Sequence, residues 1–118
     1  MGLRVGCIGL TSATQELSGA FVEMRNRPLS ETVDLMASTR LVVGPSSGPM
    51  HLASLCGTPH LVWTDRTRYA RGLTNRTKYE RTWNPHGTRA IVLDEWGFQP
   101  TPEIVAGEIA KFLGKEIP

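Results

Sequence analysis

Four short apolar runs, set apart by stretches long enough for a helix, constrain this chain more than any other feature of its sequence. Leu3, Val5, Cys7 and Ile8 make the first, closed by Gly9. Leu41-Val42-Val43 makes the second, ahead of Gly44-Pro45, and His60–Trp63 and Ala90–Leu93 make the third and fourth. Runs this short and this apolar read as strands buried on both faces, and strands that alternate with helices pair in parallel.

The spacers carry helical marks. Ser30 reads as the cap of a helix with Val33, Met36 and Ala37 on one face and Leu29 as a staple outside the cap. Pro49 suits the first turn of a second helix, which runs through His51, Leu52, Ala53 and Leu55 and stops at Gly57. For the last helix, Thr101 is the cap and Pro102 the opening residue. Ile104, Val105, Ile109, Phe112 and Leu113 form its stripe, and Gly114 stops it. The expected fold is therefore one α/β domain over 1–118, Rossmann-like, with three layers, a mostly parallel sheet and the last helix packed back on it. A chain of 118 residues has room for one core only, and the domain is expected to be incomplete at its N-terminus.

Residues 65–89 break the alternation. They show no strong period, and a loop of that length inside a compact domain is usually functional or mobile. Charge is concentrated in 66–89: Arg66, Arg68, Arg71, Arg76, Lys78, Arg81 and Arg89 against Glu80 give +6, which leaves −4 on the rest of a chain whose net charge is +2. Arg68, Arg71, Arg76 and Arg81 interleave with Tyr69, Tyr79 and Trp83, as a nucleic-acid stacking surface requires. A plain solvated face, or an arm of Arg66, Arg68 and Arg71 that meets a phosphorylated or acidic acceptor, accounts for the same pattern.

Cys7 and Cys56 each sit in an apolar run without metal-ligand spacing, so neither a disulfide framework nor a zinc site is expected, and a reducing cytoplasm is the default compartment. No apolar stretch approaches the length that spans a bilayer, and the N-terminus lacks a signal pattern.

The segment with the most chemical content is Leu41 to Ala53, a strand, a tight turn and a helix opened by Ser46-Ser47-Gly48-Pro49. Gly48 lets a ligand approach the backbone, and the amides of Ser47, Gly48, Met50 and His51, with the two serine hydroxyls, are the donors of an anion seat. Ordinary capping of a strand-to-helix turn uses the same residue types. His51 reads either as a ligand contact or as a group bonded to its own turn, His60 as structural and His86 as a turn residue.

The run LSETVDLMASTRLVVGPSSGPMHLASLCGTPHLVW, Leu29 through Trp63, resembles the C-terminal domain of heptosyltransferase-like bacterial glycosyltransferases, which face two Rossmann-like domains across a cleft in the GT-B arrangement. The family pattern is a helix of the form L-x-x-x-x-x-L-[ILM]-A, an apolar strand, Asp-Ser/Thr-Gly-x-x-His-x-x-Ala, and then Gly-x-Pro. Ser47, Gly48, His51, Gly57 and Pro59 stand at the matching positions, Ala53 stands one residue before the alanine of the pattern, and Ser46 replaces the family's acidic residue. The resemblance implies a nucleotide-sugar-binding domain in which Ser46, Ser47, Gly48, Pro49 and Met50 line the donor diphosphate with His51 nearby. It also implies Glu16 as the ribose contact and a nucleotide diphosphate sugar as donor substrate, with no metal or other cofactor. An N-terminal Rossmann-like partner domain would supply the catalytic base, so no catalytic residue is assigned to this chain. A chain lacking that partner is expected to be inactive and to self-associate. A nucleotide- or phosphate-binding module without turnover, or a basic-loop interaction domain, is the non-enzymatic alternative.

A serine hydrolase is the rival. Gly44-Pro45-Ser46-Ser47-Gly48 fits the G-x-S-x-G elbow between a strand and a helix, and Ser46, Asp65 and His86 follow in the order of a catalytic triad.

Overall fold

The computed structural model describes residues 4–9 and 22–114. Its elements are β1 (Gly6–Cys7), β2 (Val22–Glu23), α1 (Leu29–Ser38), β3 (Val42–Pro45), α2 (Gly48–Leu55), β4 (His60–Trp63), α3 (Asn75–Thr77), β5 (Ala90–Leu93) and α4 (Pro102–Leu113). The architecture is α/β, and every strand pair is parallel, as a Rossmann-like domain requires. The strands form two small sheets, β1-β2 and β3-β4-β5, where the sequence pattern suggests one. β2 has no apolar run of its own and is held by backbone bonds, with the amides of Val22 and Met24 donating to the carbonyls of Val5 and Cys7.

Strands β4 and β5 and helix α2 form where their sequence marks place them. Gly57, at φ 74°, stops α2 in the left-handed region that suits glycine. Thr101 caps α4 by accepting the Ile104 amide at 3.3 Å, and Gly114 ends it at φ 66°. α1 differs at its start. It begins at Leu29 with Pro28 in the cap position, so Ser30 lies within the first turn and caps nothing, and Leu29 is 70% exposed rather than stapled. Proline already supplies the extended residue that a helix entry needs, and Leu29 finds no apolar partner there.

The core is built where α1, α2 and the three-stranded sheet meet, from Met36, Val42, Met50, Ala53, Val62, Tyr79 and Val92. Gly44 permits this packing at one point. A Cβ there would lie 3.3 Å from the Met50 sulfur, so β3 and α2 approach as closely as a hydrogen allows.

The segment 65–89 is folded rather than a plain loop. Arg68 and Thr74 form an antiparallel bridge around a short 3-10 turn at Ala70–Gly72. The Thr74 hydroxyl then caps α3 by accepting the Thr77 amide at 3.2 Å, and the helix widens into a π-turn over Lys78–Thr82. Tyr79 from this turn is fully buried and belongs to the core.

Candidate functional site

Parallel pairing brings the carboxyl ends of β3, β4 and β5 to one edge. Pro45, Trp63 and Leu93 stand in one register row, so Ser46, Thr64 and Asp94 leave the sheet side by side. Ligand sites of open α/β sheets lie beyond such an edge.

Ser47 is the cap residue of α2. Its hydroxyl donates to the Pro45 carbonyl at 3.0 Å, and its own carbonyl accepts the amides of Met50 and His51 at 3.1 and 3.3 Å. Two of the four amides that the sequence offers to an anion are therefore engaged within the turn. Met50 points its side chain into the core, where it is 2% exposed. Gly48 and Pro49 are exposed, and a Cβ on Gly48 would meet nothing within 4 Å.

Beneath this turn lies an aromatic cluster that the sequence does not announce. The Tyr79 hydroxyl is 2.8 Å from Ser46 Oγ and 3.5 Å from His51 Nε2. The His51 ring stacks on Tyr79, and Trp83 meets both rings edge-on. Burial pushes the Tyr79 phenol up from its ordinary value, with bonds to the Ser46 hydroxyl and the Ser47 amide working against that shift. Burial also lowers His51, and the neighbouring His60 lowers it further. His60 is itself lowered by burial, partly offset by its bond to the Thr58 carbonyl.

The rest of the edge is ionic. Arg76 grips both Asp94 carboxylate oxygens at 2.9 and 3.2 Å and donates to the Val92 carbonyl at 2.8 Å. Those bonds hold the Asp94 carboxyl below its usual range. Arg66 lies 3.7 Å from Asp94 and 3.8 Å from Glu95. Asp65 accepts from the Thr67 amide and from Asn75 Nδ2, and its carboxyl is lowered by its bonds with Thr67 and Asn75. Arg68 and Arg71 are exposed and enter no ion pair among the described residues.

The aromatics of the basic segment do not form an open stacking surface. Tyr79 is buried, Trp83 is half-buried, and the Lys78 ammonium sits 3.3 Å over the Tyr69 ring. Among the described residues no hydrogen bond joins Ser46, Asp65 and His86. The Ser46 hydroxyl pairs with Tyr79, and His86 is exposed on the turn before Gly87. Glu16 lies outside the described residues. Among those described, no group of three His, Cys, Asp or Glu residues is placed to hold a metal, and no helix is long and apolar enough to cross a membrane.

Of the edge residues, sequence reasoning leaves out Asp94, whose signal is its place: it directly follows β5, as Asp65 follows β4 by two residues. Comparison of the chain with protein-family models, with curated proteins and with solved structures finds no match.

Proposed function

We propose that the chain is the donor-binding half of a glycosyltransferase related to the heptosyltransferases, holding the diphosphate of a nucleotide sugar before the N-terminus of α2. One observation carries this reading. Gly48 is exposed at the carboxyl edge of three parallel strands, and nothing lies within 4 Å of where its Cβ would stand, so that side of the turn is open. The partial positive charge of the α2 N-terminus and the Ser46 hydroxyl complete the seat. As the sugar leaves, negative charge grows on the diphosphate, and fixed dipoles stabilise it without reorganising. The exposed Arg68 and Arg71 stand ready for an acidic or phosphorylated acceptor, with Arg66 releasable from its long ion pairs. The base belongs to a facing domain, so binding is the appropriate readout for this chain.

Calorimetry with nucleoside diphosphates tests the reading. The Cβ of a valine at Gly48 meets nothing within 4 Å, and its two methyl groups add bulk beside the amide, so Gly48→Val should keep the fold and lose the ligand. Absent binding, or binding unchanged in the variant, rejects the seat.

A further inference from the structure

We propose that the basic segment 65–89 is an acid-released latch, in which protonation of His51 and His60 unseats Tyr79 and opens the segment while the strands and α4 remain folded.

The latch has two pins and one bolt. At one end Asn75 Nδ2 donates to Thr64 Oγ1 and Asp65 Oδ1, both at 3.0 Å. At the other, the Ser54 hydroxyl donates to the Trp83 carbonyl at 2.8 Å, while Asn84 accepts the Thr88 amide. Between the pins, Tyr79 is the only apolar side chain of the segment that is fully buried. Both of its neighbours that titrate near neutrality are histidines with a ring nitrogen buried and unpartnered: Nδ1 of His51 and Nε2 of His60.

Those two atoms set the direction of the response. His60 donates from Nδ1 to the Thr58 carbonyl at 3.0 Å, so in the neutral ring Nε2 carries only a lone pair. His51 meets the Tyr79 hydroxyl through Nε2, and because the buried Nδ1 has no acceptor, the neutral tautomer that leaves no N–H unpaired carries its proton on Nε2 and a lone pair on Nδ1. A buried lone pair costs less than a buried N–H without an acceptor, and protonation turns each into the latter while adding a charge. No other group absorbs that charge. The titratable groups around the cluster are His51 from α2, His60 from β4, Tyr79 from the segment and Cys56 at the end of α2. The Lys78 ammonium lies 5.1 Å from the ring of Trp83, which itself meets His51 edge-on, and adds repulsion. No carboxylate among the described residues pairs with either histidine. Beside His51 opens a cleft of about 430 Å³ lined by His51, Leu55, Thr82, Trp83 and Pro85.

The sign follows from linkage. Both histidines are lowered in the closed form, so the latch holds fully above about pH 6.5 and weakens as the pH falls below that value, because the open form binds protons that the closed form refuses. Asp65 in the first pin, and Asp94, which holds Arg76 of the segment, are lowered from carboxylate values, so both stay ionised through this window.

Hydrogen exchange of the full chain at pH 7.5 and pH 5.0, corrected for intrinsic rates, tests the latch. Residues 74–84 should lose protection about tenfold at pH 5.0, while 102–113 hold theirs. His51→Gln keeps the Nε2 donor and His60→Asn keeps the Nδ1 donor without titrating, and the double variant should lose the pH response. Should it fail to fold, NMR titration of the wild-type imidazoles serves instead, and both rings must titrate below pH 6.5 in step with the loss of protection. Equal protection at the two pH values, opening of 102–113 in parallel, or a response unchanged in the double variant overturns the proposal.

Discussion

The rings of His51 and Tyr79 lie parallel to within 4° with their centroids 4.9 Å apart, which ties the helix after the Ser46 turn to the centre of the basic segment. One contact thus joins the two parts of the chain that carry its chemistry. Removing the ring should cost more than removing its hydroxyl. Tyr79→Ala is expected to lose about 3–5 kcal/mol of stability in urea titration, as large aromatic truncations do. Tyr79→Phe should lose only about 1 kcal/mol, because Ser46 is partly exposed and can turn its hydroxyl to water. Equal losses would mean that the hydrogen bond, not the packing, seats the segment.

A serine nucleophile needs a base, and the partner of Ser46 is a phenol whose proton burial retains. Fluorophosphonate treatment at neutral pH should therefore leave Ser46 unlabelled. Labelling at Ser46 that His86→Ala abolishes would establish the hydrolase and require a rearrangement of the Pro85–Gly87 turn.

The Arg76–Asp94 pair should appear in acid. The Asp94 carboxyl is depressed in the folded chain, so its stabilising contribution is complete above the unfolded carboxylate value near pH 4 and is lost as pH falls through the folded value. Asp94→Asn should remove that part of the acid dependence and cost about 1 kcal/mol at pH 7, a modest figure because the Arg76 side chain is 42% exposed and screened. Thermal unfolding of both proteins from pH 7 to pH 3 measures the difference.

Two glycines in one motif should respond in opposite ways. Gly44→Ala places a methyl against the Met50 sulfur and should cost about 1 kcal/mol, since the thioether can shift only partly in a filled core. Gly48→Ala meets open space in the first helical turn and should be neutral or stabilising by about 0.5 kcal/mol. Chemical denaturation of the two variants checks the contrast.

How much was legible follows from how local each signal is. Thr101, Pro102 and Gly114 state the bounds of α4 in the chain itself, because caps and left-handed stops act within one turn. The strands His60–Trp63 and Ala90–Leu93 were equally plain, being apolar on every residue but one. Ser30 misled because Pro28 imposes an extended residue one step earlier than the serine could. Val22–Glu23 was invisible, since a two-residue strand held by backbone bonds has no side-chain period. At the candidate site, the order of Ser46, Ser47 and Gly48 was readable as a turn. Tyr79 was not placed beneath it, because that contact spans 33 residues and depends on a π-turn with no pattern of its own. The reading of 65–89 by charge also overlooked Asp94, which lies outside the segment and takes up Arg76.

Arg76 has one more effect, on how copies of the chain meet. The carbonyls of Arg89 and Leu93 accept from His60 and Thr64, so alternation along β5 turns the Val92 carbonyl toward the outer side of the three-stranded sheet. That outward carbonyl is the one the Arg76 guanidinium occupies. A strand from another molecule seeking to extend the sheet there would have to evict a charged group already fastened to Asp94. The β5 rim is thus blocked at Val92 by the same arginine that pairs with Asp94.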